Sequence, residues 1–388
     1  MCFATIVLVY CIGEYLSNLT KGFISSMIFA SFIGMALFWT DLIPKDIATK
    51  SQLYPMLNAF VIAILIINMG TSIDLEQFIM EWRTVATCVA GLIGLGVLAF
   101  TLGTALFGRE YALIAAPPIS GGAIAYNIVS EEALAHGRGD LAGYAYLVLA
   151  YQKFIGMPVI SFCLKMELKK MKEKNMFAGE KIDAAPFKLP ETKLFPDWPK
   201  TMDSNTWKYG RLGLAGICAY LLTQLTGGAL NVNISYLIMG ILLRKINFLQ
   251  KNSLQAAGGY GLCMMAMYAM MFNGLASLTP ADLLRMILPI IGMLVIGSIG
   301  IAIGSAIIGK LVGYPIPVAI ACGMTALLGY PGTEIISREV CDTMEGFTDK
   351  EKAMALDFVM PKMIIGGFTT VTVASVVFAG IIAPMIFG

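Results

Sequence analysis

The chain has 388 residues, of which 57% are hydrophobic and 13% charged, and its formal net charge is +2. Soluble domains normally carry about 25% charged residues, so this composition excludes a water-soluble globular protein. There is no basic patch interleaved with aromatic residues, which argues against a nucleic-acid partner. The composition therefore predicts an all-α integral membrane protein surrounded by membrane lipid.

Apolar runs of the roughly 17–25 residues needed to cross a bilayer recur along the chain. The first half has predicted spans at 2–17, 22–40, 55–72, 84–107 and 141–164, with an interrupted segment at 111–134. A Lys- and Pro-rich linker follows at 165–208. The second half has predicted spans at 209–226, 229–246, 256–275, 283–309 and 353–385, with a second interrupted segment at 314–342. The shared order predicts two repeats, residues 1–164 and 209–388.

The two halves also resemble each other residue by residue. The run 102–105, Leu-Gly-Thr-Ala, matches 303–306, Ile-Gly-Ser-Ala, and Ser130 aligns with Ser337. Any two apolar chains align tolerably, but that alternative does not explain why the interrupted segments occupy the same place in each half. The pattern favours an internal duplication.

Lys and Arg residues predict the orientation, because they collect in cytoplasmic loops. Eleven of the 27 lie between Lys165 and Arg211, which places the linker in the cytoplasm. If each interrupted segment returns to the side from which it came, 20 of the 27 lie inside and five outside. Each half then crosses the plasma (inner) membrane five times. The repeats are therefore inverted, and both termini lie outside.

The interrupted segments break at glycine and proline. The first reads AAPPISGGA over 115–123, and the second reads LLGYPGTE over 327–334. Lipid does not tolerate unpaired backbone groups, so each segment is predicted to be a re-entrant hairpin whose break lies inside protein or against a water-filled cavity. A helix that starts at a break points free N–H groups into that cavity, which suits a carboxylate, while carbonyls suit Na⁺. The alternative is that these glycines only permit tight packing.

Candidate substrate contacts follow from the two breaks. They are Ser120, Gly121, Gly122, Gly332 and Thr333. The hydroxyl groups of Ser120 and Thr333 are also candidate Na⁺ ligands. Asn127, Glu334 and Arg338 follow the breaks on the emerging helices, where Glu334 and Arg338 share one face and either pair or bind substrate.

Two lysines fall inside predicted spans. A charge at the bilayer centre costs about 2.5–3.5 kcal/mol, so such a lysine should face a cavity or a partner. Lys153 and Lys362 are therefore candidate contacts for an anionic substrate. The alternative is a structural partner, or snorkelling to the membrane surface.

Three further residues are candidate Na⁺ ligands. Asn68 and Asn273 lie near the ends of the two third spans, and Asp357 lies one to two turns before Lys362. The two amides are equally suited to capping a helix end. Gly300 and Gly304 form a GxxxG pair, which indicates helix packing.

The two breaks resemble those of a known family. The run ALIAAPPISGG over 112–122 resembles the first hairpin of bacterial sodium/glutamate symporters, which ends in a similar Ser-Gly-Gly tip. The run over 327–334 resembles the Gly-x-x-Pro-Thr tip of their second hairpin. The related 2-hydroxycarboxylate (citrate) carriers share this layout. The resemblance implies an elevator-like motion of a hairpin-bearing core domain against a dimeric scaffold.

The leading functional hypothesis is a Na⁺-coupled symporter of a small anionic or zwitterionic substrate, a carboxylate or a glutamate-like amino acid. The alternative is a cation/proton antiporter of similar fold, for which Asp357 and Glu334 are the candidate carboxylates. A non-transporting membrane partner subunit is a further alternative. The sequence offers no nucleophile–His pair and no Gly-rich nucleotide loop, so neither an enzyme nor a cofactor other than coupling Na⁺ is predicted.

Overall fold

The computed structural model describes residues 1–19, 26–72, 75–177, 194–226, 230, 232–329 and 332–388, and all regular elements among them are helical. The helices, in chain order, are α1 (Cys2–Leu19), α2 (Ser26–Trp39), α3 (Ile47–Lys50), α4 (Leu53–Thr71), α5 (Leu75–Met80), α6 (Trp82–Phe107), α7 (Arg109–Ser120), α8 (Ala123–Ala135), α9 (Gly139–Glu173), α10 (Asn205–Leu225), α11 (Val232–Lys245), α12 (Ser253–Ala256), α13 (Tyr260–Ala276), α14 (Pro280–Leu311), α15 (Ile316–Leu327), α16 (Gly332–Asp342) and α17 (Asp349–Met385). Wider π turns interrupt α4, α6 and α17, the last at Thr369–Ala374.

Five of these helices are long and apolar enough to cross a membrane. They are α4, α6, α9, α14 and α17, with lengths of 19 to 37 residues. Shorter apolar helices lie within α1, α2, α13 and α15. The remaining predicted spans fall on the helices α10 and α11. The chain is thus a helical membrane protein, as its composition predicts.

The linker is shorter at both ends than the predicted 165–208. Helix α9 continues to Glu173 because Leu164, Leu168 and Met171 recur every three or four residues and bury one face of its polar end. Helix α10 starts at Asn205, where the Ser204 hydroxyl caps it by accepting the Trp207 N–H at 3.5 Å. Residues 178–193 of the linker lie outside the described residues.

Helices α6 and α14 cross at glycine. A Cβ atom on Gly300 would lie 2.8 Å from the carbonyl carbon of Gly94, and one on Gly304 would lie 2.9 Å from that of Ala90. The two backbones therefore touch directly, and the packing role predicted for the Gly300–Gly304 pair is confirmed.

The variant Gly304→Leu is expected to destabilise the protein by about 1–3 kcal/mol, because an isobutyl group has no room at a backbone contact. The melting temperature of detergent-purified protein measures the effect. The matched control is Gly213→Ala on α10, where no atom lies within 4 Å of the added Cβ and no loss is expected. A wild-type melting temperature for Gly304→Leu would contradict the close contact between α6 and α14.

The first interrupted segment, α7–α8, begins and ends at one end of the helix bundle. The Arg138 guanidinium, just after α8, pairs with Glu110 at the start of α7 and with Asp140 at 3.0 Å. The Arg138 guanidinium donates hydrogen bonds to Asp140 and to Glu110, and these bonds raise the pKa of Arg138. His136 stacks on Phe387 near the C-terminus, with ring centroids 4.4 Å apart.

The second interrupted segment, α15–α16, begins and ends at the opposite end. Just before α15, the hydroxyl groups of Tyr314 and Thr84 lie 2.9 Å apart, beside the start of α6. Just after α16, the backbone carbonyl of Gly346 accepts a hydrogen bond from Lys172 at the end of α9. Helices α6 and α9 each run from one end of the bundle to the other, and the 26 residues of α6 span about 39 Å. The ends of the second segment thus lie beside the start of α6 and the end of α9, whereas those of the first segment follow the end of α6 and precede the start of α9.

Candidate functional site

The first break lies between α7 and α8. Helix α7 runs through Pro117 to Ser120, whose hydroxyl donates to the Pro117 carbonyl at 2.7 Å. Gly121 (φ +122°) and Gly122 (φ +93°) then adopt backbone conformations that favour glycine. No side chain caps the start of α8. The first-turn N–H groups of α8 are thus directed into the bundle without a side-chain acceptor.

The second break lies between α15 and α16. Gly329 has φ +64°, and its carbonyl accepts the N–H of Thr333 at 3.0 Å. The Thr333 hydroxyl is buried without a hydrogen-bond partner among the described residues. It packs against Gly367 of α17, where an added Cβ would lie 2.9 Å from Thr333 Oγ1. Gly332 is half-buried, and Tyr330 and Pro331 of the predicted tip lie outside the described residues.

The two breaks meet in the interior of the bundle. A Cβ on Gly121 would lie 3.0 Å from the Val371 side chain, and one on Gly329 would lie 2.9 Å from it. The Gly121 Cβ would also lie 3.1 Å from the backbone oxygen of Ala326, close to the second break. Val371 lies in the π turn of α17. The tips predicted from glycine and proline are therefore brought together at one point.

Two buried amides on α8 and α9 have atoms without hydrogen-bond partners among the described residues. Asn127, one turn into α8, is 1% exposed, and neither its Oδ1 nor its Nδ2 has a hydrogen-bond partner among the described residues. Gln152, at the middle of α9, is 4% exposed, and its Oε1 is likewise unpaired. Helices α8 and α9 are packed neighbours joined at 136–138. Buried polar atoms are normally paired, so each of these amides is suited to a bound polar ligand.

The two lysines differ in their partners. Lys153 is half-buried and has no hydrogen bond or ion pair with the described residues. Three residues later, α9 packs on the second break, where a Cβ on Gly156 would lie 2.8 Å from Leu327 Cβ. Lys362 instead donates to the Phe358 carbonyl at 3.0 Å and lies 4.2 Å from the centroid of that ring. Lys362 therefore has a structural partner, as the alternative interpretation expected. Lys153 instead lies near the breaks as an unpaired cation.

The other predicted contacts have more ordinary surroundings. Arg338 is paired with Glu334 at 3.0 Å and its side chain is 57% exposed, so the ion pair left open by the sequence forms. Asn68 Oδ1 accepts the Leu254 N–H at 2.8 Å, which ties α4 to α12. Asn273 on α13 is half-buried, whereas Asp357 on α17 is exposed.

Metal-ligating side chains do not cluster in the described ranges, which contain no group of three or more His, Cys, Asp and Glu residues able to hold an ion.

Sequence reasoning missed Gln152. It is a polar residue on an otherwise apolar helix, beside Lys153, and that contrast is a usable signal. Its burial and lack of a partner depend on which helices pack around α9, and a single sequence does not reveal that.

Comparison with known proteins gives a distant structural likeness. No protein-family model and no curated protein matches the chain. Among solved structures, the sodium proton antiporter MjNhaP1 from Methanocaldococcus jannaschii at pH 8 is 14% identical, with 100% of this chain and 99% of that chain covered and a TM-score of 0.42. A likeness of this degree carries no argument about what the present chain transports.

Proposed function

We propose that this protein is a secondary active transporter that couples Na⁺ to the symport of a small carboxylate or amino acid. The observation that carries the proposal is the meeting of two helix breaks, from opposite ends of the bundle, at Val371. Broken helices opposed near the bilayer midplane are where secondary transporters bind substrate and ions.

The proposal treats α7–α8 and α15–α16 as re-entrant hairpins of two inverted repeats. The clasp between Glu110 and Arg138 supports this, because a segment that crossed the membrane would have its ends on opposite faces. The packing also supports a two-fold relation. The second half of α9 packs on α15 and α16, and the end of α17 packs on α7 and α8, so each repeat's last helix contacts the other repeat's hairpin.

The site chemistry suits an anion. The uncapped start of α8 offers N–H groups and a positive dipole end, Asn127 offers an amide, and Lys153 offers a positive charge. A carboxylate bound there would pair atoms that otherwise lack partners. The Thr333 hydroxyl and the carbonyls that end α7 and α15 are the groups we assign to Na⁺.

Symport is favoured over cation/proton antiport by the carboxylates near the breaks. An antiporter needs a buried acid that binds and releases the proton. Of the two candidate acids, Glu334 in the first turn of α16 is already paired with Arg338, and Asp357 on α17 is exposed. Following the family resemblance, we further propose a homodimer with an elevator motion, a cytoplasmic linker and both termini outside.

Uptake by purified protein in liposomes tests the proposal. Labelled small carboxylates and amino acids are offered under an inward Na⁺ gradient, then under a proton gradient. We expect uptake of at least one carboxylate-bearing solute that requires Na⁺. Uptake of Na⁺ driven only by an opposing proton gradient would support the antiporter instead, and no flux under any condition would overturn the transporter proposal.

A further inference from the structure

Two hydroxyl groups on α8 lie outside the set assigned above. Tyr126 is 3% exposed and Ser130 is fully buried. The two hydroxyls lie close to each other, but neither makes a hydrogen bond of ordinary length and angle with the described residues. The two residues are four apart, so they lie on one face of α8, and Tyr126 directly precedes Asn127.

The surroundings of this face are aromatic and do not satisfy the two hydroxyls. The Tyr126 ring meets Tyr146 of α9 edge-on, with centroids 5.8 Å apart. Helix α8 also packs on α13, where Tyr268 stacks on Tyr10 of α1 at 4.7 Å. The Tyr10 hydroxyl donates to the Tyr268 carbonyl at 3.2 Å. The hydroxyl of Tyr10 therefore already has a hydrogen-bond acceptor on α13.

An unpaired buried hydroxyl destabilises a fold, because it loses its water without gaining a partner. Phenylalanine in place of Tyr126 and alanine in place of Ser130 would fill nearly the same space without burying an unpaired hydroxyl. The pair is therefore better explained by a ligand that accepts hydrogen bonds than by packing.

Resting on the proposed function, we infer that Tyr126 and Ser130 form a second subsite for the transported solute. It takes a hydrogen-bond-accepting group, a second carboxylate or a carboxamide, while the first carboxylate lies at the start of α8 beside Asn127. Substrates with acceptor groups at both ends are then preferred over equally long solutes with an apolar end.

Matched solute pairs test the subsite: succinate against butyrate, and glutamate against norvaline, in Na⁺-driven liposome uptake. In Tyr126→Phe and Ser130→Ala we expect the KM for the two-ended solute to rise about 10-fold, with the KM for its apolar-ended partner unchanged. The melting temperature without solute should stay the same or rise. The control is Tyr144→Phe, whose hydroxyl donates to the Pro289 carbonyl at 3.3 Å; it should melt earlier without a change in selectivity.

Wild-type selectivity in both α8 variants, or a fall in melting temperature like that of Tyr144→Phe, would overturn the subsite while leaving the transporter proposal intact. Absence of uptake by the wild-type protein would overturn both.

Discussion

Replacing Asn127 by leucine is expected to lower the efficiency of uptake strongly while leaving the fold intact. Its amide is buried with no partner at either end, so the folded protein gains nothing from it. Loss of one or two hydrogen bonds to a charged ligand should lower kcat/KM on the order of 100-fold. Removing an unpaired buried amide should at the same time stabilise the substrate-free protein by about 1–3 kcal/mol.

The variant Asn68→Leu provides the matched control. Asn68 is buried to a similar degree, but its Oδ1 accepts the Leu254 N–H. We expect lower stability with transport per folded molecule retained. Uptake and melting temperature are measured on both variants. If Asn127→Leu takes up solute at the wild-type rate, the Asn127 amide does not contact the substrate.

The second large effect is expected at Lys153. An unpaired ammonium group in a span costs about 2.5–3.5 kcal/mol, so Lys153→Met should raise the melting temperature. If the charge attracts an anion, the same change should raise the KM for an anionic solute by about 10- to 100-fold, because a charge-assisted contact is worth about 1.5–3 kcal/mol.

The variant Lys362→Met separates this role from a general effect of positive charge. Lys362 already bonds the Phe358 carbonyl and lies over that ring, so its loss should change stability and leave KM within about twofold. Equal effects of the two variants on KM would contradict the distinction between them.

The sequence predicts the breaks well because they depend on local backbone chemistry. Gly121 and Gly122 end α7 because both adopt positive φ angles that favour glycine, although the helix itself continues through Pro117 and Pro118 to Ser120. The Gly300–Gly304 packing role was likewise visible, because close helix approach requires glycine at that spacing.

What the sequence could not reveal depends on tertiary packing. Nothing in Val371 marks it as the meeting point of two breaks, since it becomes so only through the helix pairing around the π turn. Lys153 and Lys362 look alike in sequence and differ only in whether a backbone carbonyl and a ring lie within reach. The unpaired state of Gln152 and Tyr126 likewise depends on neighbours distant in the chain.

The proposal that the two interrupted segments are hairpins entering from opposite faces is tested most directly with single cysteines in a cysteine-free background. They are labelled in intact cells with a membrane-impermeant maleimide. Arg109→Cys and Ala135→Cys mark the two ends of α7–α8, and Ile316→Cys and Thr343→Cys mark the ends of α15–α16; all four positions are exposed. We predict labelling of the first pair from outside and of the second pair only after the membrane is opened. Labelling of Arg109→Cys and Ala135→Cys from opposite faces would show that α7–α8 crosses the membrane, and would contradict the proposed site.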